Sequence, residues 1–307
     1  MDRVLYGVSG NYMDVTYICW KKLVIDGRLC IPVTDPARGE YFGDPLPGIL
    51  KHIKIGEQIW SHQESVNIPF NCPKNIETYR ENWWKSTGQY ISDSRTRLNQ
   101  LHEHLCINWG KIQDEYPEQL LAMTYIKKDD IVLEIGGNIG RNSCVIGTIL
   151  SDSSNLLVLE SSPNHAIQLK HNREQNYLNF RIVPAALSAQ RLMQREWITK
   201  PVVETIPEGW SEITTINYEE LQNIFGKKFN VLVLDCEGAI EHILNDYPQI
   251  LNNIETIIIE NDFTELAPGK KVHEQFRKSG LEPIFNQSGG WGPFYNIFFQ
   301  VWKKIQK

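Results

Sequence analysis

Glycines that follow an apolar run, and carboxylates that end such runs, are the residues of this sequence best suited to chemistry. In VLEIGGNIGRNS (132–143) an apolar stretch runs into Gly136, Gly137 and Gly140 before a helical pattern begins. Such a turn lets a ligand approach bare backbone beside the exposed N–H groups of a helix start. Asn138 and Asn142 belong to the same loop, and Glu134 stands two residues before the first glycine. A second acid, Glu160, followed by Ser161, closes the run LLVLE. A carboxylate at that place can accept both hydroxyls of a ribose. The dinucleotide fingerprint G-x-G-x-x-G is broken, because Asn138 stands where its second glycine belongs. The pattern therefore predicts a nucleotide-like cofactor other than a nicotinamide dinucleotide, held by Glu134, Gly136, Gly137, Asn138, Gly140, Asn142, Glu160 and Ser161.

More acids follow at equivalent places. LDCEG brings Asp235 and Glu237, with Glu241 and His242 on the helix behind, and another run ends Glu260-Asn261-Asp262. Carboxylates that converge repel one another unless they bind something cationic or share protons. A sulfonium, a metal ion or a proton to be removed would each fit, and Asp235 is counted with the cofactor site. Ala185 and Ala186 leave room for an adenine ring or pack a core. Trp210 and Trp291, the latter within Gly289-Gly290-Trp291-Gly292-Pro293, cap an acceptor or mark structural turns.

The elements needed to position these groups can be read from the same runs. IVLEIG, LLVLES, FRIVPAALS, NVLVLDCEG and TIIIEND alternate with helical stretches, which implies parallel strands joined by right-handed crossovers. Strands apolar from end to end are those covered by helices on both faces. LEPIFN and YNIFFQVWKK, separated by the glycine-rich loop, predict an antiparallel edge hairpin. Residues 1–73 form a small β-rich module of short runs such as VTYICW, KLVI and RLCIPV between turns. Residues 74–116 read as a helical connector, with Tyr79, Trp83, Trp84, Ile91, Leu98, Leu101, Leu105 and Trp109 at helical spacing. The α/β domain occupies 117–307.

The whole chain has 307 residues, ordinary globular composition and a net charge of -6. That charge makes nucleic acid an unfavoured partner. The six cysteines are scattered without a C-x-x-C pair, so reduced thiols and no metal site are expected. No apolar run is long enough to span a membrane and no leader pattern opens the chain, which together suggest a cytoplasmic protein.

On VLEIGGNIG, Glu160 with the following Ser-Pro, ITTINYEEL, LDCEGAIEHIL and IIIEND, the region from about 117 onward resembles the FkbM family of methyltransferases. The resemblance implies a Rossmann-like seven-stranded methyltransferase sheet, S-adenosylmethionine at the first glycine loop, and O-methylation of a sugar or other hydroxyl. A carbohydrate or glycan acceptor is the leading expectation. Protein, nucleic-acid or natural-product acceptors, or an inactive binding protein on the same fold, are the alternatives. A hydroxyl is a weak nucleophile at neutral pH, so a base is useful, and Glu237, Asp235 and His242 are the candidates in that order. His242 could equally be a packing residue. Mg²⁺ held by Asp235, Glu260 and Asp262 is a secondary expectation. Through YGVSGNYMDVT and FGDPLPG, the N-terminal block resembles a small β module appended to some J-domain proteins and other chains, which implies a role in binding or positioning a partner or substrate.

Overall fold

The computed structural model describes residues 3–9, 11–42, 49–71, 94–195 and 198–305. The chain divides into two compact units, Met1–His104 and Leu105–Lys307. Tyr79, Trp83, Trp84 and Ile91 of the expected connector lie outside the described residues, as does most of FGDPLPG.

The first unit holds strands β1 (Val4–Val8), β2 (Asn11–Asp14), β3 (Val24–Ile25), β4 (Arg28–Ile31), β5 (His52–Ile55), β6 (Gln58–Trp60) and β7 (Val66–Pro69). They form two antiparallel sheets, ordered β2-β1-β5-β6 and β3-β4-β7. Helices α1 (Thr16–Lys22), α2 (Asp35–Phe42) and α3 (Ser94–His104) accompany them. The run VTYICW is therefore helical rather than a strand. Its Tyr17, Ile18 and Cys19 are buried against the sheets, so packing overrides the strand preference of aromatic and β-branched residues. Asp14 also accepts a hydrogen bond from the Thr16 amide at the helix start (3.0 Å). Deep in this unit Lys51 pairs with Asp35 at 2.9 Å, and Asp35 accepts the Tyr6 hydroxyl at 2.6 Å. This ion pair is compact because each charge has a partner, as buried charges require.

The second unit begins with α4 (Tyr116–Tyr125). It continues through β8 (Val132–Ile135), α5 (Arg141–Ile149), β9 (Leu156–Leu159), α6 (Pro163–Gln175) and β10 (Arg181–Val183). Five short strands follow: β11 (Ala186–Leu187), β12 (Leu192–Arg195), β13 (Ile198–Pro201), β14 (Ser211–Ile213) and β15 (Thr215–Ile216). The rest is α7 (Tyr218–Phe225), β16 (Val231–Leu234), α8 (Ile240–Asp246), β17 (Thr256–Glu260), α9 (Leu266–Lys278), β18 (Leu281–Gln287) and β19 (Phe299–Lys304).

The main sheet runs β10-β9-β8-β16-β17-β19-β18. Its first five strands are parallel, and β19 is antiparallel to both neighbours. This is the expected seven-stranded Rossmann-like sheet with its edge hairpin. On one face Leu133, Ile135, Leu157, Leu159, Leu232 and Leu234 join residues of α7, α8 and α9 in one apolar core. Glu134 alternates to the other face, where α5 packs. The short strands make two further sheets, a parallel pair β11-β15 and an antiparallel β13-β12-β14. No helix among the described residues is long and apolar enough to cross a membrane.

Candidate functional site

Four parallel strands end in register at the site. Leu159, Ile135, Leu234 and Ile259 stand side by side, so the residue after each, Glu160, Gly136, Asp235 and Glu260, falls on one rung at the C-terminal edge. In open α/β sheets this edge is where ligands bind. The rung needs a bare backbone at Gly136, whose φ is +95°. A Cβ there would overlap the Asp235 carbonyl oxygen.

The loop that follows gives up its amides to the protein itself. Gly136 and Gly137 both donate to the Leu159 carbonyl at 3.0 Å. Asn138, left-handed at φ +45°, donates to Glu160 Oε2 at 2.7 Å, and the Ser162 amide donates to Glu160 Oε1 at 2.7 Å. At the start of α5 the Asn142 amide donates to Glu115 Oε2 (3.2 Å). Helix-start amides are what a phosphate would seek, but here two carboxylates already face the loop amides of Asn138 and Asn142. Glu134, buried under the loop, accepts Asn142 Nδ2 (3.1 Å) and the Ser143 hydroxyl (2.5 Å).

Glu115, Glu118, Glu134, Asp235 and Glu260 line one small cavity with Gly136 and Asn142, over an apolar floor that includes Leu121 and Phe299. Arg141 pairs with Glu115 at 2.9 Å and with Asp114 at 3.5 Å. Burial, then the Asp235 charge, pushes Glu115 up to about 7 despite that pairing. Burial raises Glu134 to about 8. Asp262, beyond the rung, goes to about 8 through burial and then the charges of Asp235 and Glu237. Burial likewise raises Glu118, Asp235 and Glu260. Glu160 is raised by burial while the Ser162 and Asn138 amides oppose the shift. The Asn142 Oδ1 atom is buried without a hydrogen-bond partner.

Glu115 and Glu118 escaped the sequence reading. Acids at 114, 115 and 118 ahead of an apolar stretch look like ordinary helix-start charges, and only the packing of α4 beside α5 and β17 brings them to the cavity. Of the residues expected at the site, Glu134, Gly136, Asn142 and Asp235 line the cavity, and Glu160, Gly137, Asn138 and Gly140 build the rung and the loop above it. The Ser161 hydroxyl reaches Gln194 Oε1 of β12 (3.4 Å). Ala185 is buried in the apolar core and Ala186 opens β11 half-buried. Glu237 is exposed and left-handed at φ +51°, and the next amide, Gly238, donates to Asp262 Oδ1 at 2.8 Å. Although the residue as a whole is exposed, local desolvation of its carboxyl group and then the Asp235 charge raise Glu237. His242 is exposed on α8, outside the acidic cavity. The Trp291 loop is pinned by Gly289 and Gly290, which leave room for the rings of Phe299 and Phe298. No group of three or more His, Cys, Asp or Glu side chains among the described residues is arranged to hold a metal ion.

No protein-family model and no curated protein matches the sequence. Among solved structures it is similar to an O-methyltransferase from Bacillus cereus in complex with SAH, at 17% identity over 72% of this chain and 98% of that one, with a TM-score of 0.39. A putative O-methyltransferase from Klebsiella pneumoniae is 15% identical over 72% and 96% of the two chains, with a TM-score of 0.39. A precorrin-6y C5,15-methyltransferase from Geobacter metallireducens is 11% identical over 66% and 95%, with a TM-score of 0.41. At such scores none of them assigns a function to this chain.

Proposed function

We propose that this protein is an S-adenosylmethionine-dependent methyltransferase acting on a hydroxyl oxygen, with a sugar or glycan as acceptor. The observation that carries the reading is the occupation of the loop amides by Glu160 and Glu115 above a cavity walled by further carboxylates. A pyrophosphate would meet negative charge there, whereas a cofactor with cationic groups would relieve it. The resemblance of LDCEGAIEHIL and its companion motifs to FkbM proteins points the same way.

The residues fit such a cofactor. Each oxygen of Glu160 accepts one amide and keeps a lone pair for a ribose hydroxyl. The unpartnered Asn142 Oδ1 and the cavity carboxylates suit an ammonium group. When bound, the cofactor supplies a methyl group on positively charged sulfur. The protein then has to orient the acceptor oxygen in line and exclude water. Glu237 is the base of choice, since its left-handed backbone carries the side chain out at the sheet edge while local desolvation and the Asp235 charge raise its proton affinity. Asp262 fixes the adjoining Gly238 amide and so holds that turn.

Calorimetric titration with S-adenosylmethionine, S-adenosylhomocysteine and NAD tests the reading. Micromolar affinity for the sulfur ligands, weakened at least about tenfold in Glu160→Ala by loss of a charge-assisted pair, is the expected result. Absence of binding by both sulfur ligands, or binding of NAD in their place, would overturn it.

A further inference from the structure

Helix α9 carries Lys270, Lys271, Arg277 and Lys278 against the single acid Glu274, on a chain whose net charge is -6. Residues 293–297, just ahead of β19, lie beside it. Between them runs an open groove of about 530 Å³, within the range of small-molecule sites. It shares no residue with the acidic cavity at the sheet edge.

The groove has an apolar side and a cationic one. Leu266, Pro293, Phe294 and Ile297 supply the first, Lys270 and Arg277 the second. Its floor is fixed in place. Gly269 leaves the space that the Phe294 ring fills, and that ring stands edge-on to His273 at 5.4 Å and tilted against Phe263 at 5.5 Å. His273 Nε2 donates to Asn261 Oδ1 at 2.8 Å. Burial, then the Arg277 charge, pushes the imidazole down to about 4, so it adds no charge to the groove at neutral pH.

Lys270, Glu274 and Arg277 recur at helical spacing and share one face of α9. Lys271 is spent on Glu241 at 3.0 Å, whereas Lys270 and Arg277 have no ion pair among the described residues, with Glu274 or with any other acid. The Arg277 guanidinium lies 5.3 Å from the centroid of the buried Trp302 ring. That contact steadies the group and leaves its N–H donors unspent. Glu274 offsets one of the two cations, so one positive charge stands uncompensated beside an apolar wall. A carboxylate carries one negative charge where a phosphate monoester carries nearly two. Leu266 is 48% exposed while Phe294 is buried between its ring neighbours, so the wall offers aliphatic surface and no free ring for stacking. A nucleic-acid strand would need a longer track of cations than two.

We infer that this groove binds a small aliphatic carboxylic acid, with the carboxylate among Lys270 and Arg277 and the chain on Leu266, Phe294 and Ile297. The site does not rest on the proposed methyl transfer. It adjoins the edge where that transfer is proposed, because Gly238, next to Glu237, packs on the same Phe263 ring that meets Phe294.

The test is equilibrium dialysis of the full chain against radiolabelled decanoate, for wild type, K270A/R277A and L266S. Wild type should bind decanoate at a single saturable site. K270A/R277A should weaken it at least about tenfold, as loss of charge-assisted contacts does, and L266S about threefold or more, as loss of apolar contact does. Decanol lacks the charge and acetate lacks the chain, so both should compete poorly. Absence of saturable binding, or equal binding by wild type and K270A/R277A, would overturn the site. Decanol competing as well as unlabelled decanoate would overturn recognition of the acid, and acetate doing so would overturn the apolar wall. Thermal unfolding of each variant checks the fold. If the loss of Arg277 from Trp302 unfolds the double variant, K270A and L266S carry the test, and unchanged affinity in both would overturn the site. Sedimentation of the chain with phosphatidylglycerol vesicles, lost in the same variants while free decanoate stays unbound, would replace the small acid with a membrane surface.

Discussion

Gly136 shows how little freedom a residue on the rung has. Its φ of +95° strains any other residue, and a Cβ would be driven into the backbone of Asp235 on the neighbouring strand. Gly136→Ala should therefore cost about 4 kcal/mol or more, read as a lower urea midpoint or as insoluble expression. A loss under about 1 kcal/mol, within the range of ordinary surface changes, would mean that the two strand ends can separate. Glu237 is the opposite case, a left-handed residue with an exposed side chain. Asparagine tolerates that conformation better, so Glu237→Asn should raise stability by about 0.5 kcal/mol while removing the carboxylate. A destabilised Glu237→Asn would mean that the side chain serves the fold rather than the chemistry. Both residues were legible in the sequence, since Gly136 directly follows the run VLEI and Glu237 stands three residues past the run VLVL. Glu115 was not legible, because nothing in its own neighbourhood announces that Arg141 and the Asn142 amide will meet it.

At the scale of elements, Arg141 fastens the start of α5 to the turn before α4. It donates to the Lys111 carbonyl at 3.1 Å and pairs with Glu115 and Asp114. Removing it leaves Glu115 without its cation, and a buried carboxylate whose folded pKa is raised becomes costly only as it ionises. The sign follows: Arg141→Ala should cost little at pH 6, where Glu115 takes up a proton, and about 2 kcal/mol more at pH 8.5. Urea unfolding at the two values decides, and an equal loss at both would mean that Glu115 stays ionised in the folded protein. The long strands were readable because they are apolar throughout. The small sheet β13-β12-β14 was not, since its half-buried face is built from Leu192, Gln194, Thr199 and Pro201, which leaves no hydrophobic alternation to detect. VTYICW failed for a related reason, because a short run buried all along fits a covering helix as well as a strand.

Across the whole molecule the buried carboxylates tie stability to pH. Glu115, Glu134 and Asp262 have folded values of about 7, about 8 and about 8, against about 4 in an unfolded chain. Between those limits the folded state holds more protons than the unfolded one, so stability falls as pH rises, by up to about 1.4 kcal/mol per pH unit for each group. Asp35 acts in the other direction. Desolvation opposes it, yet the Tyr6 and Lys51 hydrogen bonds bring it below its ordinary value, so its contribution is lost as pH falls through the acid range. The unliganded protein should accordingly be most stable near pH 5 and lose Tm steadily toward pH 8.5. A cationic cofactor among the same carboxylates favours their charged forms. S-adenosylmethionine should then raise Tm more at pH 8 than at pH 6, and its binding at pH 7 should release protons, seen as a calorimetric enthalpy that varies with the buffer's ionisation heat. If Tm instead climbs from pH 5 to pH 8.5 without ligand, these acids are ionised in the fold and the cavity needs no cation. If the unliganded trend holds but the cofactor's effect is the same at both pH values, its charge lies away from the cavity, and Glu160 with the loop above it would be the only part of this edge left to hold it.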